Sequence, residues 1–453
     1  MEVIPKEVAY AAAKLDSFSR NKFRIETSGA TSAGPSSIVT INLPDACVLD
    51  LRSFAVHMDV LSTKGTDHAT SGKVGAKLPH SSDLIANMEV YVAGIMVQQG
   101  VAEYNTVTRM FKIPSTSFDR RHSVDALLHN GVMSDVATAD DRSLVFRPEL
   151  GFFAESSTRY LSCSLTGPIS VRLTFASTSV LTPKATGIEI GAALTHDDDR
   201  TLAASLTYSV SNIFATVDSI GMGDAYDQML SARLQTEDYL PINYKSYYSY
   251  SMANQTGNHT MRFSLSSTSI DTCLAVTRYA NYQTPGIIGR RTVGAAFAEA
   301  SIPNHFYFHS FSGGAAVTNK YKVGNLRYNW TVNGIRHPQF DADLLTAAAD
   351  LSLVGDKMTL DRPGHSVTSL SHYQTGMCVI PLTLNLPGNA LNLRTGYNTR
   401  GTNCNMELEL KGLELPAATP TTTGVTDQLS TFVVAQATSQ LRIGGNRQIA
   451  VDH

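Results

Sequence analysis

The chain has 453 residues, of which 43% are hydrophobic and 17% are charged, and its formal net charge at pH 7 is −3. This length suits roughly two to four domains, and the charged fraction lies below the roughly 25% that is typical of soluble domains. Because lysines and arginines are scattered and no basic run stands at either end, we expect no direct packaging of nucleic acid by a basic arm.

The cysteines and the N-terminus indicate where the chain folds. Five cysteines lie far apart with no CxxC pair, which argues against a disulfide framework and a structural zinc site and favours a reducing compartment. Residues 1–20 lack the apolar core of a signal peptide, and no stretch approaches the roughly 18 apolar residues that span a bilayer. We therefore expect a soluble protein that is not exported through a signal peptide.

Apolar residues alternate with polar ones along the first half of the chain. The pattern is clearest at residues 54–60, 88–92 and 169–175, and Ala93-Gly94 forms a turn after the second of these segments. Alternation gives a strand one face for a core and one for solvent. It therefore predicts antiparallel sheets rather than parallel sheets buried on both faces.

The same alternation of apolar and polar residues begins again after about residue 200. Apolar parity shifts near Asn212, which predicts a β-bulge, and residues 326–332 lead into the tight-turn dipeptide Asn333-Gly334. Leu441 and Ile443 face Ile449 and Val451 across a glycine pair, which predicts a closing hairpin. The second half is therefore also predicted to be mainly β.

Helical spacing is short and rare. Apolar residues at helical intervals predict helices at residues 101–111, 226–234 and 340–351, the last preceded by Pro338. Two long polar excursions, at about 113–155 and 280–322, interrupt the two halves at what we take to be comparable places. Loops of this length inside a compact β domain are usually functional or exposed.

A search for catalytic and ligand-binding motifs favours a protein that is not an enzyme. The chain has no phosphate-binding glycine loop, HExxH pair or EF-hand loop. His196 to Asp199 could hold a weak cation but is better explained as a solvated linker, and Ser312 lacks a nucleophile elbow. Glu407 and Glu409 lie beside Lys411 and are expected on an exposed rim. We predict no catalytic, cofactor or metal residues.

Two polar or aromatic patterns leave alternatives open. Sequons stand at Asn254, Asn258 and Asn329, of which Asn329 is expected on an exposed strand face, although unmodified asparagines are the favoured interpretation. Tyrosines crowd residues 244–250, where alternation places Tyr244, Tyr248 and Tyr250 on one side. They could stack nucleic acid or sugar, but packing in a core or an interface is favoured.

Five segments resemble, in order, the double jelly-roll major capsid proteins of double-stranded DNA viruses. The likeness is strongest to Polinton-like viruses and virophages, with algal giant viruses further off. The motifs run across most of the chain, and Ala93 replaces the family's turn asparagine. The segments are Leu84–Gln99 (LIANMEVYVAGIMVQQ, followed by EYNTVTRMF), Leu165–Leu181 (LTGPISVRLTFASTSVL), Tyr208–Tyr250, Gly396–Leu413 (GYNTRGTNCNMELELKGL) and the final QLRIGGNRQIAV.

The resemblance implies two tandem antiparallel eight-stranded jelly rolls with short satellite helices and long surface loops. A polar, proline-containing stretch at about 177–205 separates the halves, and residues 1–22 precede the first clear strand, so we divide the chain into an N-terminal arm (1–22), a first roll (23–180), a linker (181–205) and a second roll (206–453). The resemblance also implies a homotrimer of pseudo-hexagonal outline that tiles an icosahedral virion shell beside penton and minor or cement proteins. The arm would run beneath the shell toward an inner membrane, and the excursions would meet neighbours or a host receptor.

Two other classes stay open. A carbohydrate-binding β-sandwich, such as a lectin, virion spike or minor capsid protein, predicts exposed aromatics beside acidic or amide residues. A hydrolase on a jelly-roll scaffold requires a carboxylate pair or metal ligands, and neither stands out in the chain.

Overall fold

The computed structural model describes most of the chain, and all structural statements below concern these residues. They are 19–45, 47–62, 67–68, 72–115, 141–186, 207–221, 224–237, 239–280, 282–283, 304–306, 308–311, 324–351, 354, 378–385, 394–401, 404–414, 428–445 and 448–453.

The first half forms two main antiparallel sheets. The larger one has the order β1-β12-β3-β8, with β9 pairing the other end of β3, and the smaller one has the order β2-β10-β6-β7. Their strands are β1 (Ser19–Glu26), β2 (Ile38–Asn42), β3 (Val48–Ser62), β6 (Ile85–Val92), β7 (Ile95–Gln98), β8 (Asp141–Phe146), β9 (Tyr160–Ser162), β10 (Ile169–Phe175) and β12 (Tyr208–Gly221).

The second half repeats this plan. Its sheets have the orders β13-β20-β15-β18, with β21 added beside β20, and β14-β19-β16-β17. Their strands are β13 (Tyr239–Gln255), β14 (His259–Ser264), β15 (Ile270–Tyr279), β16 (Arg327–Val332), β17 (Ile335–Ala342), β18 (Ile380–Thr383), β19 (Asn405–Lys411), β20 (Leu429–Gly444) and β21 (Ile449–Asp452).

Both halves are jelly rolls with the same strand order. If the eight positions of each roll are numbered along the chain, the sheets read 1-8-3-6 and 2-7-4-5 in both, with β8 and β9 sharing the sixth position of the first roll. This nesting of the last strand beside the first is the double Greek key of a jelly roll. The predicted fold class, two tandem eight-stranded jelly rolls, is confirmed.

Alternation places one face of each sheet in a core. In β10 the residues Ile169, Val171, Leu173 and Phe175 are buried, while Arg172 between them is exposed. The Asn333-Gly334 turn joins β16 to β17 with both residues at positive φ, as a two-residue hairpin turn requires. The hairpin of β20 and β21 has the predicted register.

Smaller elements lie outside the two sandwiches. A three-stranded sheet in the order β11-β5-β4 is built from two connections of the first roll. Strands β4 and β5 lie between its third and fourth strands, and β11 lies between its seventh and eighth. A helix follows the fifth strand of each roll, α1 in the first and α4 in the second. The bounds are β4 (Asp67–His68), β5 (Gly72–Lys77), β11 (Thr182–Thr186), α1 (Tyr104–Ser115), α2 (Cys163–Thr166), α3 (Asp224–Glu237) and α4 (Leu344–Leu351), with 3-10 turns at Ser81–Leu84, Thr178–Val180 and Asn304–Phe306.

The sheet pairing differs from the domain bounds that we drew. Strand β12, which we placed in the second roll, pairs with β1 and β3 and completes the first roll, and the second roll's strands begin at Tyr239. The last strand of a jelly roll must return beside its first, so a boundary near residue 205 separates a strand from its sheet. Asn212 has φ 51° and marks the predicted bulge. Residues 19–22 of the predicted arm belong to β1, and 1–18 lie outside the described residues.

The third predicted helix begins later than its apolar spacing suggested. Pro338 and Phe340 lie in β17, whose pairing with β16 is set by the Asn333-Gly334 turn, and α4 starts only at Leu344. The side chain of Phe340 points to solvent, with 57% of its surface exposed. Hairpin pairing therefore overrides a helical spacing at this segment. The other two predicted helices are confirmed as α1 and α3.

The two excursions do not occupy comparable places. Residues 116–140 lie between the fifth and sixth strands of the first roll, whereas 284–303 and 312–323 lie between the third and fourth strands of the second. Those three segments are outside the described residues. The described part of the first excursion includes strand β8, with Leu144 and Phe146 in the core, so the excursion is not a loop throughout.

Candidate assembly surfaces

The two rolls share a joint built partly from backbone. The loop after β8 pairs with the edge of β13 at Ser156 and Tyr244, and Ser157 N–H donates to the Asn243 carbonyl oxygen at 2.7 Å. The Lys245 N–H donates in turn to the Glu155 carbonyl oxygen at 3.2 Å. A segment of the first roll thus extends the sheet of the second at its edge.

Two tyrosines of β13 anchor this joint. The Tyr244 hydroxyl donates to the Val97 carbonyl oxygen at 2.8 Å, and its ring meets Phe152 edge-on at 5.5 Å between centroids. The Tyr247 hydroxyl donates to Glu155 at 2.5 Å, and its ring packs against Phe111 of α1. Both rings are buried, in agreement with the packing interpretation and against a stacking platform for sugar or nucleic acid.

The predicted one-sided arrangement of the tyrosines is only partly correct. Tyr247, which alternation set apart from Tyr244, also faces the first roll, whereas Tyr250 stacks on Phe263 within the second. The neighbouring roll covers this stretch of β13, so both faces of the strand carry packed side chains.

A buried polar cluster also joins the two rolls. Glu103 accepts from Arg278 at 2.6 Å and from the Tyr282 hydroxyl at 2.8 Å. Arg278 is fully buried, and its guanidinium lies 3.5 Å from the centroid of the Tyr282 ring. His305 bridges Thr106 and Ser179 of the first roll at 3.3 and 3.2 Å. A charge buried this deeply requires its partners in place.

The electrostatics of the cluster follow from burial and from its two opposite charges. Burial lowers the pKa of His305 to about 4, and the nearby Arg278 pushes it the same way while Glu103 opposes it. Burial by itself would raise the pKa of Glu103, but Arg278 and His305 outweigh burial, and the net pKa shift is downward. At neutral pH the cluster therefore holds an ionised glutamate, an arginine and a neutral histidine.

Sequence reasoning did not single out this cluster. Arg278 stands near the end of β15, and a cation at a strand end is usually exposed to solvent. Glu103 and His305 are also far from it in sequence. Glu103 adopts φ 63°, a left-handed conformation that an ordinary residue rarely takes. A cation in β15, a strand with several apolar residues, was the available sequence signal.

The structure places the other candidate residues as follows. Asn329, expected to be exposed, is buried and donates through its amide to the carbonyl oxygens of Pro338 and Phe340, because β17 folds back over it. Asn254 and Asn258 are exposed. Glu407 and Glu409 are partly exposed and form ion pairs with, among others, Arg262, Arg336 and Lys411. His196 to Asp199 and Ser312 lie outside the described residues.

The described ranges supply no cluster of three or more His, Cys, Asp or Glu side chains that could hold a metal ion. Among the helices of those ranges, none has the length and apolarity needed to cross a membrane. All five cysteines are free thiols, four of them buried.

The chain matches no protein-family model and no curated protein, but solved structures share its fold. VP54 of PBCV-1, whose crystal structure was fitted into a cryo-EM reconstruction of the virophage Sputnik, is 14% identical, with a TM-score of 0.59 over 97% of this chain and 98% of that chain. The Faustovirus major capsid protein is 9% identical, with a TM-score of 0.54 over 95% and 92% of the two chains.

The Sputnik virophage structure determined by cryo-EM is 11% identical, with a TM-score of 0.52 over 96% of this chain and 88% of that chain. At such identities the likeness establishes the fold. This chain has the fold of double jelly-roll major capsid proteins, as its five sequence segments predicted.

Proposed function

We propose that this protein is the major capsid protein of a double-stranded DNA virus, a structural component of the virion and not an enzyme. The observation that carries the proposal is the repeat of one eight-stranded roll in both halves, joined by a buried joint, within a fold that covers 97% of this chain and 98% of VP54. Two similar rolls in one rigid subunit suit a wall in which many copies stand side by side.

The proposed assembly is a homotrimer with six rolls and a pseudo-hexagonal outline, which packs with neighbouring capsomers into an icosahedral shell. A cyclic trimer uses one heterologous contact three times and so closes. Penton and minor or cement proteins would complete the shell. The residues before β1 would face an inner membrane, and the loop segments of the two excursions would meet neighbours or a host receptor.

Light scattering and negative-stain microscopy of the purified chain test this proposal. We expect a mass three times that of the 48.9 kDa chain and triangular or hexagonal particles. A monomer that persists at high concentration, with compact single-sandwich outlines, would contradict it. The test needs no knowledge of the virus or its host.

One observation favours a second candidate function, glycan binding. The tip of the second roll has an open depression of about 460 Å³ lined by Thr331, Asn333, Gly334, Asn405 and Glu407. The partly exposed Tyr397 lies beside it, where its hydroxyl accepts from the Asn333 amide at 3.3 Å. A glycan array probed with the wild type and with Tyr397→Ala tests this candidate. Binding that the variant loses would support it, and no binding by the wild type would remove it.

A further inference from the structure

The joint inside the chain has two unlike sides. The first roll contributes its fifth-strand face, defined as the fifth strand and the helix that follows it, here β7 and α1 with the loop after β8. The second roll contributes its first-strand face, defined as the first strand at the open edge of its sheet, here β13. Because the two rolls have the same strand order, each roll has both a fifth-strand face and a first-strand face. The joint uses one face of each kind, so one face of each kind is left over, that is, uncovered within a single chain.

The uncovered fifth-strand face belongs to the second roll and carries exposed apolar side chains. It consists of β17 and α4, where Ile335 and Phe340 are each 57% exposed and Leu345 is 52% exposed. In the first roll the corresponding helix is covered by the second roll, because Phe111 of α1 packs edge-on against Tyr247 and Thr106 is hydrogen-bonded to His305. Helix α4 buries Leu344, Ala347 and Leu351 against its own roll, and Leu345 lies on the side of the helix that this roll does not cover.

The left-over first-strand face belongs to the first roll and is also exposed to solvent. Strand β1 is exposed along almost its whole length, with Phe23 at 41%, although its counterpart β13 buries Ile242, Tyr244 and Tyr247. An unprotected sheet edge is a template for pairing with another chain. The same structural position is therefore covered in one roll and open in the other.

The two left-over faces are also opposite in charge. Residues 19–26 carry Arg20, Lys22, Arg24 and Glu26, a formal charge of +2, although Arg20 and Lys22 pair with Asp218 of β12 and Arg24 pairs with Glu26. Residues 335–351 carry three aspartates and one arginine, a formal charge of −2. Opposite charges steer encounter and set the register of an interface.

We propose that the β17–α4 face of one copy docks on the β1 edge of a second copy, in the manner in which the first roll docks on the second within the chain. This inference rests on the proposed capsid function and names the surfaces that would build its trimer. Phe340 and Leu345 on one side and Phe23 on the other are its apolar anchors. Exposed apolar residues grouped on one face mark an interaction site, and aromatic anchors carry most of the affinity of such a site.

Three variants of the full chain test the contact by size-exclusion chromatography with light scattering. Phe340→Asp with Leu345→Asp removes one face, and Phe23→Asp removes the other. Ile38→Asp is the matched control, because Ile38 is 61% exposed on β2, at the sheet edge opposite β7. We expect each face variant to be monomeric at concentrations about 30-fold above the midpoint of wild-type assembly, and the control to remain trimeric.

Mixing the two face variants gives the decisive result. The intact β17–α4 face of the Phe23→Asp chain can still bind the intact β1 edge of the other variant, so a 1:1 heterodimer that grows no further is expected. This outcome also shows that both variants fold, and Phe340→Ser and Phe23→Ser provide milder replacements. Face variants that trimerise as the wild type does, or a mixture without heterodimer, would overturn the inference while a wild-type trimer still supported the capsid proposal. A wild type that never trimerises would instead remove the capsid proposal itself.

Discussion

Single residues decide how the two rolls hold together. Arg278 is buried without access to solvent, so its charge depends on Glu103 from the other roll, and losing one member of such a pair costs about 3–5 kcal/mol. His305 lies in the same cluster, with hydrogen bonds to Thr106 and Ser179 of the first roll. The joint therefore combines apolar packing with charges that only the correct docking satisfies.

The depressed pKa of His305 makes this joint sensitive to acid. The folded pKa is about 4 against 6.5 for an unshifted histidine, so below pH 6.5 the unfolded chain takes up a proton that the folded chain does not. The free energy of unfolding should fall as pH drops from 6.5 to about 4, by up to about 1.4 kcal/mol per pH unit for this group. Glu103, whose pKa is lowered, adds a loss in the same direction at lower pH.

Denaturant unfolding of the wild type and of His305→Gln at several pH values measures this effect at fixed protein concentration. The variant should have a shallower decline between pH 6.5 and 4, since glutamine cannot take up the proton. His309→Gln is the matched comparison, because burial also lowers the pKa of His309 to about 4. Equal slopes for the wild type and both variants would contradict the assignment.

At the scale of elements, turn chemistry sets the strand pairing. The Asn333-Gly334 turn fixes β16 against β17 with φ of 50° and 81°, and this pairing draws Pro338 and Phe340 out of a helical pattern into a strand. The same hairpin buries Asn329 under β17, where a sequon had suggested exposure. A two-residue turn thus decides the environment of residues up to seven positions away.

Gly334→Ala should destabilise the second roll by about 1–2 kcal/mol, because a side chain at φ 81° is strained. A methyl group there would meet nothing within 4 Å, so strain is the whole effect. Gly257→Ala, in the connection between β13 and β14, is the control, since it has equally open space and no positive φ. Chemical denaturation measures both variants, and equal stability of the two would refute the turn assignment.

At the scale of the whole molecule, the joint should make two rolls into one cooperative unit. Tyr244 and Tyr247 of the second roll are buried against the first, and a short stretch of backbone hydrogen bonds runs beside them. Interfaces of this kind couple the unfolding of neighbouring domains when they are well packed. We expect a single calorimetric transition for the wild type.

Truncating both anchors should separate the two transitions. Tyr244→Ala with Tyr247→Ala removes the ring contacts to Phe152 and Phe111, at a cost of about 3 kcal/mol or more for each ring. Tyr250→Ala is the matched control on the same strand, because its ring packs on Phe263 inside the second roll. It should lower the transition temperature without splitting the peak in scanning calorimetry. A double variant that still unfolds in one step would show that the rolls couple by other contacts.

The sequence by itself determined the β class, most strand positions, the bulge at Asn212 and the closing hairpin, because alternation and turn dipeptides act over a few neighbouring residues. Its family likeness also predicted the two rolls. Only the tertiary structure decided that β12 belongs to the first roll, that Asn329 is buried, and that Glu103, Arg278 and His305 meet. These outcomes depend on pairings between residues up to about 200 positions apart, and local periodicity contains no information about which distant strand becomes the neighbour.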